Sequence, residues 1–130
     1  MAEGRSILIA DDEPIFRKAL ANLLRLDGHV CHTAADADEA IDMLRADRYD
    51  LLISDVVMPG NENLRLVREA QLLAEGMPVI LVSGCEPIDS AQRGQYPAIV
   101  AFLEKPLDFD EFGRTLQAAL QESGSRPPAR

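Results

Sequence analysis

Two hydrophobic periods alternate along this chain. Residues 6–10 (S-I-L-I-A) form a short apolar run of the kind buried on both faces of a parallel sheet, and Asp11-Asp12-Glu13 closes it. Pro14 suits a first helical turn, after which Phe16, Ala19, Leu20, Leu23 and Leu24 recur at helical spacing until Asp27-Gly28 stops them. Residues 29–34 read as a weaker strand. Asp36 with Glu39 has the capping-box spacing, and Ala37, Ala40, Ile41 and Leu44 share one face of the helix it opens. The run Leu51-Leu52-Ile53 is a third strand, ending at Asp55 and broken by Pro59-Gly60. Leu64, Val67 and Ala70 mark a third helix that Gly76 ends, and residues 79–82 (V-I-L-V) a fourth strand that runs into Ser83-Gly84. Residues 85–97 carry Pro87, Gly94 and Pro97, so the fourth helix expected there is short. Residues 99–103 form the fifth strand, followed by Lys105-Pro106. Asp108 with Glu111 then caps a final helix whose buried face holds Phe109, Phe112, Leu116, Ala119 and Leu120.

Five strands alternating with five helices through short connections predict an α/β fold, a single doubly wound, flavodoxin-like parallel sheet with right-handed crossovers and order 2-1-3-4-5. Such a sheet puts all strand tips on one edge. Asp11, Asp12, Asp55, Ser83 and Lys105 therefore converge although the four strand ends that carry them are far apart in sequence, and the three acids meet where the strand order reverses. Crowded carboxylates repel, so without a cation at least one titrates upward. A hard divalent ion relieves this, and few protein ligands with open water positions suit Mg²⁺.

Composition narrows the setting. The 130 residues suffice for one domain; residues 1–123 are assigned to it and residues 124–130 to a disordered tail or the start of a linker. A net charge of -9 repels nucleic acid and anionic membrane surfaces. Cys31 and Cys85 have neither metal-ligand spacing nor a disulfide framework, which fits a reducing compartment, and no run is long enough to span a membrane. The expected location is cytoplasmic.

The order Asp11-Asp12, Asp55 with Met58-Pro59-Gly60, Ser83-Gly84 and Lys105-Pro106 resembles the receiver domain of bacterial two-component response regulators, across essentially residues 6–122. The resemblance implies that Asp55 is the phosphoacceptor, taking a phosphoryl group from a sensor histidine kinase or histidine phosphotransfer protein as an aspartyl phosphate. It implies Mg²⁺ held by Asp12, Asp55 and the Val57 carbonyl, with Asp11 acting partly through water. Lys105 pairs with Asp55 and then with a phosphoryl oxygen, Ser83 donates to another, and Ser83 with Phe102 forms the switch. Phosphorylation then remodels the surface of fourth helix, fifth strand and fifth helix to control a downstream protein or fused output domain, with a phosphorylation-dependent dimer among its assemblies. The protein is a regulator rather than an enzyme, catalysing only its own phosphorylation and slow dephosphorylation.

Taken singly, Asp11 and Asp12 read as helix caps, Ser83 as an N-cap, Lys105-Pro106 as a strand exit and Phe102 as core. Those readings give no reason for the set to share one sheet edge. Asn63 stands where the family commonly has Gly, and Ser83 where Thr is commoner. Val57 and Cys85 fill the two variable positions beside the site, and neither suits orienting water, so dephosphorylation is expected to be slow. A haloacid-dehalogenase-like phosphohydrolase needs a second Asp where Val57 stands. A flavin-binding protein lacks support because no Ser/Thr/Gly-rich phosphate loop follows the first strand. The remaining alternative is a receiver-like binding module acting without phosphorylation.

Overall fold

The computed structural model describes residues 4–84 and 94–123, the side chains of the last two apart. Its elements are β1 (Ser6–Ala10), α1 (Pro14–Leu26), β2 (Val30–Ala34), α2 (Ala37–Ala46), β3 (Leu51–Asp55), a 3₁₀ turn (Glu62–Leu64), α3 (Arg65–Leu73), β4 (Val79–Ser83), β5 (Ile99–Glu104) and a C-terminal helix (Phe109–Ser123). The five strands lie in the order β2-β1-β3-β4-β5, all parallel. Register is set so that the strand ends lie level: Ala10 opposes both Ala34 and Ser54, and Asp55 opposes Val82. The polar residues that follow these strands therefore emerge on one edge.

β3 and β4 are buried along their whole length, as continuous apolar runs in a sheet covered on both faces should be. Side chains alternate between two cores. Leu8, Leu52 and Leu81 face α2 and α3 with Ala40, Ile41 and Val67. Ile7, Ile9, Ile53 and Ile80 face α1 and the C-terminal helix with Leu24, Phe112 and Leu116. Cys31 lies in this second core, as a small apolar residue would, and burial pushes its thiol pKa up.

The helix starts follow local chemistry. Asp36 accepts a hydrogen bond from the Glu39 N–H at 2.8 Å, and Glu39 reaches back to the Ala35 N–H at 2.7 Å, one residue short of the usual reciprocal box. Asp108 Oδ1 accepts from the N–H groups of Asp110 and Glu111. α1 instead begins with Pro14 after Glu13, whose side chain makes no capping hydrogen bond.

Some helical faces differ from expectation. In α1, Ala19 is exposed and Ala21 buried, because the stripe facing the sheet runs through Leu20, Ala21 and Leu24. Phe109 is 65% exposed rather than core. It is the first residue of the C-terminal helix, while Phe112 one turn on and Leu116 two turns on are buried. The described residues hold four α-helices; the expected fourth helix, Cys85 and residues 124–130 fall largely or wholly outside them. No helix among the described residues is long and apolar enough to cross a membrane.

Asn63 adopts φ 53° and ψ 37°, and Leu64 follows at φ 57°. Asn tolerates this left-handed conformation better than a branched side chain does. Asn63→Ile should therefore cost about 1–2 kcal/mol and Asn63→Gly little, as urea unfolding at equilibrium would show.

Candidate functional site

The carboxyl edge of the sheet carries a cleft lined by Asp12, Glu13, Asp55, Val57, Ser83, Gly84 and Lys105. These residues are delivered by the carboxyl ends of four strands, β1, β3, β4 and β5. Asp11 follows β1, with its N–H bonded to the Ala34 carbonyl of β2 at 3.0 Å and its Oδ1 accepting from the Glu13 N–H at 2.9 Å. Asp55 ends β3, and the next peptide is tied to β4 by Val56 N–H donating to the Val82 carbonyl at 3.1 Å. Ser83 ends β4 and is buried; its carbonyl accepts from the Lys105 N–H at 2.9 Å, which fixes the β5 exit beside it.

One carboxylate oxygen each from Asp11, Asp12 and Asp55 lies within 4.8 Å of the others. Asp11 and Asp55 are buried and Asp12 is exposed. Lys105 Nζ stands 2.9 Å from Asp11 and 3.4 Å from Asp55, and it also pairs with Glu13. Burial raises the pKa of Asp55 and the Asp11 charge raises it further; Lys105 and the Val57 N–H, 3.4 Å from Asp55 Oδ1, oppose this and lose. For Lys105 burial disfavours the ammonium, but hydrogen bonds to Glu13 and Asp11 and the charges of Asp11 and Asp55 outweigh it, so its pKa is raised. One ammonium cannot neutralise this many acids. Three oxygen donors around an open, partly exposed position fit a hard divalent cation that keeps several waters, which is the character of Mg²⁺.

Every described residue expected at the site is placed. Asp11, Asp12, Asp55, Val57, Ser83 and Lys105 come together at the edge, and Phe102 lies three residues upstream in β5, partly buried against the core beside α2 and α3. Three further residues carry weight that the sequence reading did not assign. Glu13 takes a share of Lys105. Phe16 places its ring 4.3 Å from the Lys105 ammonium, a cation–π contact. Asn61 is buried, donates from Nδ2 to the Asp55 and Val56 carbonyls at 3.3 and 2.9 Å, and accepts from the Leu66 N–H at 2.8 Å. It thus stitches the loop after the acid to the first turn of α3. The only sequence signals for these were the continuation of the acid run to Glu13 and a turn-forming Asn after Pro59-Gly60.

A family model described as the response regulator receiver domain matches residues 7–117. The transcriptional regulatory protein GlrR of Escherichia coli (strain K12) is 32% identical over 90% of this chain and 26% of its own length. The sensor histidine kinase RcsC of Escherichia coli is 34% identical over 85% of this chain and 12% of its own length. This chain thus spans about a quarter or less of these two curated relatives. Among solved structures, the receiver domain of the hybrid histidine kinase CckA has 32% identity and a TM-score of 0.75, covering 89% of this chain and 99% of that one. The chemotaxis protein CheY4 of Vibrio cholerae has 26% identity and a TM-score of 0.80, covering 92% of this chain and 100% of that one. The match over most of the chain, the sheet order and the acids gathered at its carboxyl edge agree, and the chain belongs to the response regulator receiver domains of two-component systems.

Proposed function

We propose that this chain is a phosphorylation-operated signalling switch whose phosphoacceptor is Asp55. The observation that carries this reading is the meeting of Asp11, Asp12 and Asp55 within 4.8 Å, with the Lys105 ammonium among them in a cleft open to a donor. An Asp55 carboxylate oxygen attacks phosphorus, the donor's phosphorus–nitrogen bond breaks, and its electron pair leaves on the imidazole of a phosphohistidine. The carboxylate needs no base to activate it. Lys105 offsets charge on the transferred group, and the Ser83 hydroxyl, at the neighbouring strand end, donates to a second oxygen. Mg²⁺ held by Asp11, Asp12, Asp55 and the Val57 carbonyl would neutralise phosphoryl charge and relieve the repulsion among the acids. The chain catalyses its own modification and is not an enzyme acting on other substrates.

The proposed phosphodonor is a sensor histidine kinase or a histidine phosphotransfer protein. The output passes through the fourth-helix segment, β5 and the C-terminal helix to a protein partner or a fused domain. Relatives named as a histidine kinase and as a transcriptional regulator, each longer than this chain, support both ends of that route. Ser83 and Phe102 are the proposed switch pair: drawing the hydroxyl toward a phosphoryl group frees space into which the partly buried Phe102 ring can turn.

Incubation with acetyl phosphate, with and without Mg²⁺, tests the reading by intact mass. A Mg²⁺-dependent gain of one phosphoryl is the expected result. A folded, cation-binding protein that gains none would leave a receiver-like binding module. Val57 is 65% exposed at the cleft and presents only methyl groups to an incoming water. The phosphoryl group should consequently persist for many minutes after donor removal, and decay within seconds would contradict this.

A further inference from the structure

The acids around Lys105 are unequal in a way the phosphoacceptor role does not require. Side-chain exposure is 2% for Asp11 and 9% for Asp55, but 61% for Glu13. Two acids therefore form the floor of the cleft and one stands on its rim. An ammonium has three N–H donors, and here three carboxylates compete for them while the Phe16 ring closes another side. Glu13 does not earn its place by starting α1: it is the N-cap residue, yet its side chain makes no capping hydrogen bond. Its side chain pairs instead with an ammonium that belongs to the site.

Resting on the phosphoacceptor reading, we infer that Glu13 is a positioning residue that draws the Lys105 ammonium toward the rim and sets an electrostatic threshold against anionic phosphodonors. Two consequences of opposite sign follow. Holding the ammonium outward leaves Asp11 and Asp55 more available to a divalent cation. Placing an anion at the rim, and occupying Lys105, slows approach of a dianionic donor to Asp55. In the transfer, a bond forms between an Asp55 oxygen and phosphorus while the donor's bond to its leaving atom breaks. The electron pair leaves on acetate for acetyl phosphate. For phosphoramidate it leaves on ammonia, whose nitrogen already carries the proton it needs.

Glu13→Gln separates these effects, and because the side chain is exposed and does not cap α1, the variant keeps the fold. Calorimetric titration with Mg²⁺ should show affinity weakened by about two- to fivefold, the range of an exposed ion pair. With Mg²⁺ saturating, phosphorylation by acetyl phosphate, a dianion, should quicken by about two- to fivefold. Phosphoramidate, a monoanion, should gain less. The gain should shrink as KCl is raised, because the screening length falls from about 30 Å at 0.01 M to about 3 Å at 1 M. Glu13→Asp, which retains the rim charge, should restore the salt dependence. Unchanged or tighter Mg²⁺ binding, or a rate gain equal for both donors and indifferent to salt, would overturn the inference while leaving the phosphoacceptor reading standing. A wild-type protein that takes no phosphoryl group from either donor would remove that reading, and the donor threshold with it.

Discussion

Asp55→Asn should abolish Mg²⁺-dependent phosphoryl uptake and, without any cation, raise the melting temperature. The two effects share one cause. Asp55 is held beside Asp11 in a buried position, which suits attack on phosphorus but disfavours the charged form. A carboxyl group whose pKa is raised by folding stabilises the fold most below its unfolded pKa. That contribution is lost as pH rises through the folded value. At neutral pH the ionised Asp55 is therefore a liability in the cation-free protein, and a neutral amide of the same shape removes it. The gain should vanish in acid, where the wild-type group is protonated as well. Addition of Mg²⁺ should stabilise wild type by mass action and the variant much less. Intact mass after acetyl phosphate treatment and melting curves from pH 4 to 8 check both halves. An Asn variant that still gains a phosphoryl group would move the acceptor elsewhere.

Lys105→Met should destabilise the cation-free protein by about 2–3 kcal/mol, somewhat less than the 3–5 kcal/mol typical when one member of a fully buried ion pair is removed. The ammonium is the shared counter-charge of Asp11 and Asp55, whose side chains are 2% and 9% exposed, and its own side chain is 12% exposed. Methionine keeps an unbranched apolar stem but removes the ammonium that lies over the Phe16 ring and leaves the carboxylates facing one another. Mg²⁺ should restore much of the loss and bind the variant more tightly than wild type, because a competitor for the same oxygens is gone. Phosphorylation should nevertheless slow by about 10²-fold, the usual effect of removing one fixed donor from a site of developing charge. Denaturant melts with and without Mg²⁺ measure the first effect, and acetyl phosphate kinetics the second. Full stability without cation would mean that Glu13 rather than the floor acids holds the ammonium.

The strands were legible because each is a short apolar run closed by a charge or a turn, and β1, β3 and β4 begin and end within about one residue of the positions their sequence predicts. α2 was equally plain, its four predicted face residues all buried and its Asp36 cap formed. Where the reading slipped, periodicity alone could not decide. Phe109 has the spacing of a core residue, but its burial depends on whether a sheet lies opposite that turn. Ala19 and Ala21 are alike in chemistry, and only the face that α1 turns to the sheet exposes one and buries the other.

The site divides along the same line. Strand-terminal residues are set by the sequence itself, because a run's last apolar residue and the acid or hydroxyl after it are adjacent along the chain. Parallel pairing then carries Asp11, Asp12, Asp55, Ser83 and Lys105 to one edge. Glu13 on the rim, the Phe16 ring under the ammonium and the Asn61 bonds across the loop are different in kind. The first two join segments far apart along the chain, 92 residues in the case of Glu13 and Lys105, and the Asn61 bonds, though only five or six residues long, depend on how the loop folds back on itself. Local pattern determined which elements form and which residues end them. Only the packed tertiary structure, through burial that strengthens some charges and exposure that screens others, decided how those charges are shared.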